Sequence, residues 1–125
     1  GALGIEALSR GAASATFVER DARAARIVHD NLATLGLDAR VVRREALAAL
    51  RDARERADAY DLVFLDPPYG QAAALGAPLA EALSPVLSPG ARVVSESDHR
   101  VPLELALPVL AERRYGDTLI RIHVP

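Results

Sequence analysis

The chain contains no cysteine, no methionine and no lysine in its 125 residues. Without cysteine there is no disulfide, no thiolate metal site and no thiol nucleophile. The only imidazoles are His29, His99 and His123, and no two have the spacing of a metal pair, so no metal is expected. A sequence that opens Gly1-Ala2-Leu3-Gly4 without an initiator methionine is expected to be a processed product or a fragment. All 15 basic residues are arginine, set in an alanine-rich chain, which points to GC-rich coding before it points to function. Arginine nevertheless suits bidentate phosphate contacts better than lysine does.

Fifteen basic against 17 acidic residues leave a net charge of −2. That balance excludes a strongly basic protein that coats nucleic acid, but not a local basic patch. No apolar run approaches the roughly 18 to 20 residues that cross a bilayer. No charged-then-apolar leader opens the chain either, so a soluble cytoplasmic protein without membrane contacts is expected. The length predicts one small domain over residues 1–125, large enough to bury a core.

The hydrophobic pattern alternates between two periods. Residues 1–11 read as a helix that opens on a glycine turn, with Ile5 and Leu8 inward and Gly11 as its stop. A short β-rich run over 14–18 follows. Asp21 then caps a helix over 22–35, where Ala25, Val28, Leu32 and Leu35 recur at helical spacing and Gly36 ends it. A strand over 39–42 leads into a helix from about 46 to 56, with Leu47 and Leu50 on one face. Residues 60–65 form the clearest strand, apolar without alternation, as expected for a central strand covered on both faces. A helix over 78–87 with Pro78 in its first turn comes next, then a Pro89-Gly90 turn, a strand over 91–95 and a Pro-interrupted loop or short helix over 101–108. The chain ends in a hairpin, 109–115 and 118–124, around Gly116-Asp117. This order predicts an α/β fold, a mostly parallel sheet with helices on both faces and an antiparallel hairpin at its C-terminal end.

In an open parallel sheet, ligands bind beyond the carboxyl ends of the strands. Three of those ends carry an acid: Glu19, Glu45 and Asp66, and Glu96 adds a fourth in the strand over 91–95. Any one of them alone reads as a helix cap or a solvated turn, but their recurrence on one sheet edge makes them candidate ligands. Gly1 and Gly4 at a helix start, with Glu19 18 residues after Gly1, have the form of the back half of a nucleotide-binding fingerprint, whose acid takes ribose hydroxyls.

Asp66-Pro67-Pro68-Tyr69 is the strongest signal. Two prolines fix φ and supply no N–H, so the turn presents carbonyls without competing donors. A carboxylate followed by such a carbonyl offers the two acceptors that a planar exocyclic amine requires, and Tyr69 offers a flat ring on which a base can stack. The alternative is a rigid turn with Tyr69 packed on the core edge. Ser95–His99 holds Ser, Glu, Asp and His in a row, but neighbouring side chains cannot form a nucleophile triad, so it reads as the polar end of a strand.

Residues 1–12, Phe17-Val18-Glu19, Asn31-Leu32, Asp66-Pro67-Pro68-Tyr69 and Tyr115-Gly116-Asp117-Thr118 together resemble the RsmD-type 16S rRNA guanine-N2 methyltransferases. The resemblance runs over essentially the whole chain in matching order. It implies a Rossmann-like, S-adenosylmethionine-dependent enzyme that methylates the N2 amine of guanine 966 in 16S rRNA, in the small ribosomal subunit or its assembly intermediate; a monomer is expected. It also implies roles. Gly1, with Ala2 after it, matches the end of the loop around the methionine part of the cofactor. Glu19 matches the ribose-binding acid, Arg20 lies at the adenine edge, and Glu45 and Ala46 approach the adenine amine. Asp66, Pro67, Pro68 and Tyr69 form the catalytic turn, with Asp66 also beside the cofactor. Arg43-Arg44 and Arg113-Arg114 read either as contacts to rRNA phosphates or as solvated surface. The family's first strand, most of its glycine loop and an RNA-contacting extension have no counterpart in this sequence. The strand is expected mid-sheet, between those ending at Glu19 and Asp66. Two other readings remain at this point: an amino methyltransferase acting on DNA adenine or another RNA, and a non-catalytic rRNA-binding module.

Overall fold

A computed structural model describes residues 2–67 and 72–125, which fall into two compact units, 1–49 and 50–125. In the first unit, helix α1 (Ala2–Ser9) precedes strand β1 (Thr16–Val18), helix α2 (Ala22–Leu35) and strand β2 (Arg40–Val42). The boundaries of α2 follow from local chemistry. The Asp21 carboxylate accepts from the Ala24 N–H at 2.9 Å, and Gly36 closes the helix in the left-handed region at φ 66°. Its inward stripe, Ala25, Val28 and Leu32, is buried. Phe17, Val28 and Leu32 form a small core, and Ile5 and Leu8 of α1 pack against it with Val41 of β2. Gly4 lets α1 approach that core, because a Cβ there would overlap the Phe17 ring. Strands β1 and β2 are parallel, with Thr16 level with Arg40 and Val18 with Val42.

Helix α3 (Ala46–Glu55) leads out of this unit. The expected inward residues Leu47 and Leu50 are only half-buried; the buried positions are Ala49 and Ala53, one helical turn apart. The second unit holds strand β3 (Tyr60–Leu65), helix α4 (Ala72–Leu83), a short 3₁₀ turn (Ser84–Val86) and strands β4 (Leu87–Asp98), β5 (Val109–Tyr115) and β6 (Thr118–His123). Its sheet has the order β3-β4-β6-β5, with β3 parallel to β4 and the rest antiparallel. Leu83, Val86, Val93 and Leu103 are its most deeply buried apolar side chains.

Three expectations are corrected. Tyr60–Leu65 is an end strand of its sheet, paired among the described residues with β4, and none of its residues is buried; Leu62 is 45% exposed. Helix α4 starts at Ala72, so Pro78 lies inside it and not in its first turn. The carbonyl that Pro78 leaves without a helical donor belongs to Ala74, which is exposed to water. The Pro89-Gly90 turn is an irregularity within a longer strand. The register against β3 shifts between Tyr60 and Leu62, and Gly90 absorbs the distortion at φ 79°. The terminal hairpin forms as expected, with Gly116 at φ 60° in the first central position of its two-residue turn. Among the described residues no helix is long and apolar enough to cross a membrane.

Candidate active site

Two of the expected cofactor acids stand at the carboxyl ends of neighbouring parallel strands. Glu19 directly follows β1, and its N–H donates to the Val42 carbonyl at 3.0 Å, extending the β1–β2 ladder by one residue. One oxygen of its half-buried side chain accepts from the Asp21 N–H at 3.1 Å. The other accepts from nothing among the described residues. Arg20 is exposed. Glu45 lies past the end of β2 and caps α3: its two oxygens accept from the Leu47 N–H at 3.0 Å and the Ala48 N–H at 3.1 Å. Ala46, the first residue of that helix, is exposed, as is Ala2 at the start of α1. Backbone donors therefore fix both carboxylates, and a carboxylate oxygen that accepts one such bond keeps acceptor capacity for a further hydroxyl or amine.

In the second unit Asp66 follows β3 directly and is exposed, with Pro67 half-buried after it. Leu65 is level with Ser95, so Asp66 stands level with Glu96 at the carboxyl end of the parallel β3–β4 pair. No hydrogen bond or ion pair to Asp66 is present among the described residues. Beyond it, Asp98 forms a closed clamp. Arg100 meets its carboxylate at 2.9 and 2.7 Å and adds its backbone N–H, which holds the acid well below the usual carboxylate range. Gly1, Pro68 and Tyr69 lie outside the described residues.

The run 95–98 forms the end of β4 as expected, but Ser95 itself is not solvated. It is buried within β4, and its hydroxyl lies 3.1 Å from Nε2 of buried His123 on β6. Sequence reasoning passed over His123; the signal was its place on an alternating strand, Leu119-Ile120-Arg121-Ile122-His123, where it shares a face with buried Leu119. His99 accepts from the Arg114 guanidinium at 3.0 Å and so ties that residue to the turn after β4, while Arg113 and Arg43 remain on exposed surface. Among the described residues no group of three His, Asp or Glu side chains is placed to hold a metal ion.

The family model described as conserved hypothetical protein 95 matches residues 1–124. The chain belongs to that family. Among the relatives, ribosomal RNA small subunit methyltransferase D of Escherichia coli K12 is 44% identical over 70 residues, covering 55% of this chain and 34% of that one. The same-named protein of Haemophilus influenzae is 40% identical over 72 residues, covering 55% of this chain and 37% of that one. The match thus spans little more than a third of the length of these curated relatives. A solved hypothetical protein of Thermus thermophilus superposes with a TM-score of 0.84 at 31% identity, covering 98% of this chain and 68% of that one. An S-adenosylmethionine-dependent methyltransferase of Agrobacterium tumefaciens shares the fold at 20% identity, with a TM-score of 0.77 over 100% of this chain and 53% of that one. The fold is therefore the Rossmann-like methyltransferase fold, and the resemblance to RsmD-type enzymes is borne out.

Proposed function

We propose that this chain carries the catalytic turn and the adenosine side of an S-adenosylmethionine-dependent methyltransferase that modifies the N2 amine of guanine 966 in 16S rRNA. Asp66 carries the reading: an exposed carboxylate at the carboxyl end of β3, followed by Pro67, in a chain whose relatives are named as methyltransferases of small-subunit rRNA.

The residues present fit the cofactor. Glu19 has an oxygen open to ribose hydroxyls, and Glu45 and Ala46 stand beyond the adjacent strand, where an adenine amine can be met. Gly1 and Ala2 belong to the methionine side, and Arg20 to the adenine edge. When bound, S-adenosylmethionine supplies an electrophilic sulfonium methyl.

The chain's own work is alignment and charge stabilisation. The guanine amine is a poor nucleophile because its lone pair delocalises into the ring, so it has to be pulled toward tetrahedral geometry. Asp66 and the Pro67 carbonyl accept the two amine hydrogens and orient the lone pair. The Asp66 carboxylate offsets the positive charge that develops on nitrogen, and once the methyl is in place the amine proton passes to water. The reading assigns Pro68 to the same catalytic motif and Tyr69 to stacking on the unstacked base. The test is nucleoside analysis of small-subunit rRNA after reaction with the intact protein. N2-methylguanine is expected; N6-methyladenine, or no methylated product, overturns the reading.

A further inference from the structure

The first unit contains a groove of about 400 Å³ between α2 and the edge strand β2. Its floor is Ala22, Ala25 and Val41, and its walls are Arg26, His29 and Arg43, with Asp30 at the rim. The floor is small and apolar, and the lining holds no Phe, Tyr or Trp ring. The walls are exposed.

Among the described residues Arg10 pairs with Glu6, Arg56 with Asp58, Arg100 with Asp98 and Arg121 with Glu104. Arg26 and Arg43 do not; among the described residues neither side chain has an ion pair or a hydrogen bond. Two guanidiniums lining one groove, neither ion-paired, offer charge-assisted donors to a phosphate, with Asp30 the acid in the same lining. Position adds to this. Ala22 lies three residues past Glu19 and Arg43 two before Glu45, so the groove opens at the strand ends that carry both acids.

We propose that this groove takes one phosphodiester of single-stranded RNA, with the phosphate between Arg26 and Arg43 and the ribose on the Ala22–Ala25–Val41 floor. Small floor residues leave room for a sugar, and with no Phe, Tyr or Trp in the lining the two guanidiniums recognise backbone in preference to base. Asp30 and His29 supply acceptors for the ribose 2′-hydroxyl, the group that separates RNA from DNA. The proposal rests on the reading of the chain as an RNA methyltransferase, because that reading brings the RNA; its test reads binding and not methyl transfer.

The experiment is fluorescence anisotropy of a labelled single-stranded RNA, and of the DNA of the same sequence, against the intact protein over a salt series. Arg26→Ala with Arg43→Ala is expected to raise the Kd for RNA roughly tenfold. The same pair should lower the salt slope by about 0.7, the value for one neutralised phosphate on a single strand. Asp30→Ala should narrow the preference for RNA over DNA. Arg26→Lys with Arg43→Lys keeps both charges, so it should restore the slope while recovering only part of the affinity. An alanine pair that melts like the unmodified protein and binds RNA with the same Kd and slope overturns the groove alone. Should the alanine pair misfold, the lysine pair decides: affinity equal to the unmodified protein's overturns the guanidinium site. Failure of the unmodified protein to bind RNA overturns both this proposal and the methyltransferase reading.

Discussion

Ser95 on β4 donates to Nε2 of His123 on β6 across 3.1 Å, and both side chains are sealed from water. The Nδ1 atom faces the Leu107 carbonyl at 3.4 Å, so the ring is assigned as the neutral Nδ1–H tautomer. Burial pushes the ring's pKa below its ordinary 6.5, against the smaller opposing effect of that carbonyl. The unfolded chain therefore binds a proton that the folded one resists. This contribution is complete above pH 6.5 and is lost as pH falls through the lower folded value. Urea denaturation should show a midpoint that drops as pH is lowered from neutral through this window. His123→Gln should flatten that part of the profile; an unchanged slope would refute the assignment. Ser95→Ala leaves a buried acceptor unpaired and should cost about 1–3 kcal/mol at neutral pH.

Gly76 lies inside α4, where alanine would ordinarily gain about 0.5–1 kcal/mol by helix propensity. Here a Cβ would overlap the backbone carbonyl of Glu104, which a side-chain rotation cannot relieve. Gly76→Ala should therefore destabilise the protein by about 1–3 kcal/mol, as overpacking does. Thermal melts of the two proteins decide the sign, and a higher melting temperature for the variant would contradict this contact.

The elements that sequence alone located are those whose ends have local causes. Asp21 and Gly36 satisfy the termini of α2 with groups a few residues away, and Gly116 turns the hairpin, so those boundaries matched. The start of α4 was missed because proline ordinarily marks a first turn, whereas the alanine-rich run before Pro78 extends the helix past it. The candidate site divides along the same line. Glu19, Glu45 and Asp66 each follow a strand directly or within three residues, a local pattern that reads off the sequence. That Glu45 caps a helix with both oxygens, or that Ser95 meets a histidine 28 residues away, depends on folded geometry that no short window contains.

Glu45 has two roles that substitutions can separate. Its carboxylate caps α3 through the Leu47 and Ala48 N–H groups, and the proposed function adds an adenine contact. Glu45→Ala should lose about 1 kcal/mol of stability, the usual cost of a missing cap, and weaken cofactor binding as well. Glu45→Ser keeps a capping oxygen but is too short to reach a ligand, so it should recover much of the stability and none of the affinity. Paired denaturation and calorimetry with S-adenosylmethionine read the two effects. Full cofactor affinity in the serine variant would reduce Glu45 to a cap.

Asp66 is the residue on which the proposed chemistry depends. It is exposed at the end of β3 and no partner holds it among the described residues, so its removal should leave the fold intact. Asp66→Ala in the intact protein should abolish methyl transfer while cofactor affinity changes little, since the substrate amine loses its charged acceptor and the adenosine contacts remain. Asp66→Asn keeps an acceptor oxygen without the charge. If the carboxylate acts by offsetting charge on nitrogen, this variant should also lose at least roughly tenfold in kcat, with a smaller effect on KM. Near-normal kcat in the asparagine variant would mean that hydrogen bonding alone suffices; near-normal kcat in the alanine variant would remove Asp66 from the reaction. Tyr69 supplies the companion test: Tyr69→Phe should retain far more activity than Tyr69→Ala, because stacking needs the ring and not its hydroxyl.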